Sequence, residues 1–203
     1  ERAGREVAAE AGRHLKKCVL ELGGSDPYLI LEDADLQLAV DRCATSRMLC
    51  SGQVCIAAKR IIAVDGVYDQ FRDMLVDKIK TYVMEDPVKP DCALGPLARK
   101  DLRDTVHQQV TDSVRLGADL ICGGDIPLRD GWWYPPTVLE NVTPGMPAFE
   151  EEIFGPVVSL VRAEDTNRAI ALAGNTRFGL GGGIFTADAA RGAKLATSRM
   201  DAG

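Results

Sequence analysis

The chain has little histidine. His14 and His107 are the only two, and they are far apart in helical patterns, so no zinc centre is expected. It lacks a CxxC pair. Its six cysteines (Cys18, Cys43, Cys50, Cys55, Cys92 and Cys122) follow no repeating interval. A chain of 203 residues can build a core without covalent staples, so reduced thiols are expected rather than a disulfide framework. It has no basic excess: 24 Lys and Arg against 30 Asp and Glu leave a net charge of -6, which argues against a nucleic-acid partner. It has no uninterrupted apolar run of about 18 residues, so no membrane-spanning helix is expected. Internal repeats and low-complexity stretches are also missing. With 46% hydrophobic and 27% charged residues, what is present reads as an ordinary globular protein.

The patterning alternates. Helical spacing covers residues 5–17, 33–48, 68–82, 102–116, 166–173 and 189–199. Between these lie short apolar runs at 28–31, 60–64, 119–122, 157–161 and 183–186, with an extended stretch inside 132–142. Another apolar run, residues 18–22, reads as a strand interrupted by Gly23-Gly24. This alternation predicts an α/β fold, doubly wound, with a mainly parallel sheet flanked by helices. In such folds ligands sit outside the carboxyl ends of the strands, which directs attention to the loops that follow strands.

Three segments could carry chemistry. In Leu20-Glu21-Leu22-Gly23-Gly24 a carboxylate stands in an apolar run. Burial there would make it a stronger base and suit general-base catalysis; the alternative is a buried Glu paired with a Lys or a backbone amide. In Ser51-Gly52-Gln53-Val54-Cys55 a cysteine follows a small polar turn whose amide dipoles would favour the thiolate. The alternative is a small buried hydrophobe. In Glu151-Glu152-Ile153-Phe154-Gly155-Pro156 the acidic residues could hold ribose hydroxyls and the ring could stack; the alternative is a solvated acidic loop with Phe154 packed inward.

Taken in order, these segments resemble the aldehyde dehydrogenase superfamily, whose pattern runs E-L-G-G, then G-Q-x-C, then E-x-F-G-P. Here these are Glu21 to Gly24, Gly52 to Cys55 and Glu152 to Pro156. Leu94-Gly95-Pro96, Tyr134 to Leu139, and Phe178-Gly179-Leu180 leading to Ile184-Phe185-Thr186 agree as well, so the resemblance runs along the whole chain. It implies an NAD- or NADP-dependent oxidoreductase acting on a small-molecule aldehyde. Cys55 would be the nucleophile and Glu21 the general base. Glu152, Phe154, the Leu22 backbone and Gly4 would be cofactor contacts. Gly4 is similar to the last glycine of a phosphate-binding turn that opens a helix.

The resemblance divides the chain into residues 1–24, a remnant of the cofactor domain and its link, and residues 25–203, the catalytic domain. The lack of an initial Met and of the family's remaining segments leads us to expect a piece of a longer, cytoplasmic, homo-oligomeric enzyme, the piece being inactive alone. An inactive relic and a cofactor-independent thiol esterase are the alternatives. The stretches 21–27, 52–60 and 93–104 are most similar to bacterial succinate-semialdehyde dehydrogenases. Two departures stand out. Leu49 occupies a position where some members carry a substrate-binding Arg; Arg47, two residues away, would lie off that helical face. Cys50 replaces a usual Asn, which opens the idea of a regulatory disulfide with Cys55.

Overall fold

The computed structural model describes residues 1–202. A six-stranded sheet forms the centre, in the order β3-β4-β5-β2-β1-β6. The strands are β1 (Asp26–Ile30), β2 (Ala58–Val64), β3 (Asp119–Cys122), β4 (Thr137–Glu140), β5 (Val157–Ala163) and β6 (Gly183–Phe185). All neighbours are parallel except β3, which runs antiparallel to β4. The helices are α1 (Arg2–Arg13), α2 (Leu36–Met48), α3 (Asp65–Lys80), α4 (Lys100–Arg115), the single turn α5 (Pro147–Glu150), α6 (Thr166–Gly174) and α7 (Ala189–Arg199). The mainly parallel, helix-flanked α/β sheet expected from the sequence is the architecture found.

The strands alternate their side chains between two cores. Ile30, Ile61, Ala63, Val158 and Leu160 pack against α2 and α3. Leu29, Leu31, Ile62, Val157 and Val161 pack against α4, α5 and α6. Every residue of β2 is buried, as befits a central strand covered on both faces. Helix starts follow local chemistry: Asp35, Asp165 and Asp188 each accept from the backbone N–H three residues on, capping α2, α6 and α7.

Two local expectations fail. Residues 18–22 form no strand. β1 already has β2 on one side and β6 on the other, so this run cannot pair with the strand it leads into, and Val19 is left 93% exposed. The helix read over 5–17 stops at Arg13, and Leu15 follows with a left-handed φ of 52°. Of this helix only Gly4 is buried, so little tertiary packing extends it. α5 has no counterpart in the sequence reading, since a four-residue helix is too short to show a period. Among the described residues, no helix is long and apolar enough to cross a membrane.

Candidate active site

The three segments singled out in the sequence meet, but at the end of the sheet opposite to the one expected. Gly23-Gly24 lead into β1, Cys55 precedes β2, and Glu152 precedes β5. Because β5, β2 and β1 are adjacent and parallel, their amino ends lie side by side. The rule that points to carboxyl ends describes loops leaving strands. Here the loops entering three neighbouring strands build the site, so the expectation is corrected.

Contact among the segments is close. The Gly24 N–H donates to Glu152 Oε1 at 3.2 Å. A Cβ on Gly23 would come within 2.4 Å of Glu152 Oε2, and one on Gly24 within 2.9 Å of the Cys55 carbonyl oxygen. Each glycine therefore makes room for a different partner. A Cβ on Gly52 would lie 2.1 Å from the Gly155 carbonyl oxygen, so the turn before Cys55 presses on the turn after Phe154.

The turn that delivers Cys55 is strained. α2 ends at Met48, and Cys50, Ser51 and Gly52 then take φ values of 50°, 56° and 76° in succession. Only the glycine adopts that region freely, and each of the other two costs about 1–2 kcal/mol. Several bonds hold the turn. The Arg47 guanidinium donates to the Gly52 carbonyl, and Ser51 Oγ donates to the Gly95 carbonyl at 2.8 Å. Gln53 Nε2 donates to the Cys50 carbonyl at 3.1 Å, while its Oε1 accepts from Ala98 N–H at 2.9 Å. Gln53 is thus the strap of the turn before Cys55. Arg47 is fully buried beneath it, and its burial lowers its pKa to about 10, with the Glu152 charge opposing that fall. Arg47 therefore braces the turn and does not reach out to a ligand. Leu49 is 57% exposed.

Behind Cys55 sit two further cations. Lys59 is buried and donates to the Val54 and Cys55 carbonyls at 3.1 and 2.6 Å, with Glu152 Oε1 3.5 Å away. Burial and the Arg47 charge push its pKa down, while Glu152 and Asp26 pull it back. Arg60 is also fully buried. It donates to the carbonyls of Ser25, Leu172 and Ala173 at 3.1, 2.9 and 2.9 Å, tying β2 to the entry of β1 and to the end of α6. Asp26 is buried beside them, and its pKa is raised by burial against the pull of Lys59, Gly181 N–H and Arg60.

Comparison with known proteins agrees with this arrangement. The aldehyde dehydrogenase family model matches residues 1–203. The chain belongs to the aldehyde dehydrogenase family. It is 48% identical over its whole length to succinate semialdehyde dehydrogenase [NAD(P)+] Sad of Escherichia coli K12, covering 44% of that protein. It is 46% identical to the succinate-semialdehyde dehydrogenase [NADP(+)] of Deinococcus radiodurans, again over its whole length and covering 42% of that relative. The structure of a Mycobacterium tuberculosis aldehyde dehydrogenase complexed with NAD+ superposes with a TM-score of 0.94 at 33% identity, covering all of this chain and 42% of that one. The chain thus spans less than half the length of these relatives.

On this aldehyde dehydrogenase chain the expected residues fall as follows. Cys55 is half-buried, and its thiol is free, as are the other five. Cys50 is exposed, and no bond joins it to Cys55. Glu21 lies exposed in the loop between α1 and β1. The burial inferred for it from an apolar strand is absent, because that strand does not form. An open cleft of about 580 Å³ is lined by Gly23, Glu151, Glu152, Arg177 and Phe178, among others. A second, of about 520 Å³, is lined by Gly4, Leu20 and Leu22. Glu1 and Arg177 border both, so the two form one furrow. Glu152, Leu22 and Gly4 therefore share a surface. Phe154 is half-buried and does not line it; Phe178 does. Gly4 packs closely on Leu22, and a Cβ there would reach the Leu22 side chain at 2.7 Å.

The furrow suits a dinucleotide in chemistry. It offers a half-buried carboxylate to accept from hydroxyls and an apolar wall. Sequence reasoning missed Lys59 and Arg60 as site elements. A signal existed: two cations inside the apolar run Ile56 to Val64 must be buried and paired.

Proposed function

We propose that the protein to which this chain contributes oxidises an aldehyde to the carboxylic acid, with NAD or NADP, through a thioester on Cys55. Succinate semialdehyde is the first candidate substrate, on the strength of the two relatives named for it. The single observation that carries the reading is the meeting of Gly24, Cys55 and Glu152 at the amino ends of three adjacent strands.

In this reading the Cys55 thiolate attacks the aldehyde carbon and gives a thiohemiacetal. The Cys55 N–H has no acceptor among the described residues and is free to meet the oxyanion. A bound nicotinamide supplies the hydride acceptor. Glu152 accepts from the cofactor ribose hydroxyls, and Leu22 and Gly4 line its path. Glu21 takes a proton from water, whose oxygen adds to the thioester; the acid leaves and the Cys55 thiol is restored. Carboxylate recognition does not come from Arg47, which is buried under Gly52.

The test is formation of reduced cofactor with succinate semialdehyde, run on the longer protein and on this chain. Turnover by the longer protein, its loss in Cys55→Ala, and an accumulating acyl-enzyme in Glu21→Gln are expected. Ordinary steady-state turnover in either variant would reject the assignment.

A further inference from the structure

Lys59 is placed where no surface role explains it. It is the second residue of β2, 3% exposed, with its ammonium turned toward the nucleophile loop. A buried ammonium is costly unless its donors are used. Here three acceptors surround it: the Val54 carbonyl at 3.1 Å, the Cys55 carbonyl at 2.6 Å, and Glu152 Oε1 at 3.5 Å. Asp26 and Arg47 are the other charges that act on it.

The two carbonyl bonds have a geometric consequence. In a trans peptide the C=O and N–H of one unit point in opposite directions. Holding the Val54 carbonyl toward Lys59 turns the Cys55 N–H away from it. Holding the Cys55 carbonyl does the same for the Ile56 N–H. Neither N–H donates to a protein acceptor among the described residues. The bond to Glu152 adds an electrical link, since the same ammonium faces the carboxylate that borders the furrow.

We propose that Lys59 is a positioning residue: by gathering the Val54 and Cys55 carbonyls and the Glu152 carboxylate on one ammonium, it aims the Cys55 N–H and sets the charge that the Cys55 thiol experiences. The role rests on the reading of Cys55 as the nucleophile. Lys59 touches neither substrate nor cofactor in this role. Glu152 partly neutralises it, so the two residues act on the thiol in opposite senses.

The experiment is alkylation of this chain by iodoacetamide at one fixed, near-neutral pH, with each cysteine followed by mass spectrometry. Cys43, fully buried, serves as the fold reporter. In Lys59→Met, Cys55 reacts about three- to ten-fold more slowly, because a nearby cation is lost. In Glu152→Gln, Cys55 reacts faster, because the cation loses its counter-charge. Opposite signs with Cys43 protected support the proposal; a merely structural loosening would move both variants the same way. Equal rates in both variants, or shifts of the same sign, overturn it. Should Cys43 become labelled in Lys59→Met, that variant is unfolded and Glu152→Gln decides: acceleration supports, and no change overturns. No turnover is read, so the result is separate from the fate of the dehydrogenase assignment.

Discussion

Gly52→Ala tests the junction on which the site depends. The backbone at Gly52 has φ of 76°, where a Cβ costs about 1–2 kcal/mol. The added carbon would also stand 2.1 Å from the Gly155 carbonyl oxygen and 2.2 Å from the Gly155 carbonyl carbon. Ordinary contact is beyond 3 Å, so the two turns must part by about 1 Å. Parting them stretches the bond from Arg47 to the Gly52 carbonyl, and a buried guanidinium left without it loses its one acceptor among the described residues. Together these effects cost on the order of 3–5 kcal/mol. With a urea slope of about 2 kcal/mol per molar, the unfolding midpoint falls by about 1.5–2.5 M. The assay is equilibrium urea unfolding followed by circular dichroism. A midpoint within about 0.3 M of the parent would refute the claim that these turns are pressed together in the native state.

Gly66 supplies the opposite case. It lies in the first turn of α3 with nothing within 4 Å of an added Cβ, so Gly66→Ala should raise stability by about 0.5 kcal/mol in the same urea assay. Arg60→Met removes the donor to three buried carbonyls and should lower stability by about 3 kcal/mol or more, read as a drop in Tm. Asp26 has a raised pKa, so the native state holds its proton to a higher pH than the unfolded chain does. Stability contributed by that proton therefore grows as pH falls through the native value toward the unfolded one. Between about pH 7 and pH 4 the Tm of the parent relative to Asp26→Asn should rise; a constant difference would show that Asp26 titrates normally.

Much of this was legible in the residues. Strands and helices of the sheet followed from apolar periodicity, because each strand packs on at least one helical layer and the pattern records that. The site segments were legible as motifs, though their meeting place was not. Nothing local says that β1, β2 and β5 will be neighbours. That is a property of the strand order, which long-range pairing decides. The exposure of Glu21 was hidden for the same reason. Its neighbours Leu20 and Leu22 look like strand residues, but both edges of β1 are taken. The three left-handed residues at 50–52 were also hidden. Cys50 and Ser51 carry no mark of such a backbone, and their conformation is held by bonds to Gln53 and Gly95, with Arg47 fixing the Gly52 carbonyl that follows.

The position of β2 also orders events during folding. Its partner on one side, β1, is made earlier in the chain, whereas β5, on the other side, begins almost a hundred residues after β2 starts. A nascent chain that has emerged only through α3 holds Cys55, Lys59 and Arg60 but not Glu152, Gly155 or the α6 carbonyls that receive Arg60. Until β5 docks, Lys59 lacks its Glu152 partner and Arg60 lacks two of its three acceptors. The surroundings of Cys55 are thus completed late, when the chain closes on itself across the centre of the sheet. A half-synthesised protein carries Cys55 without these surroundings, and labelling of Cys55 on ribosome-bound chains of increasing length would show their completion as a step.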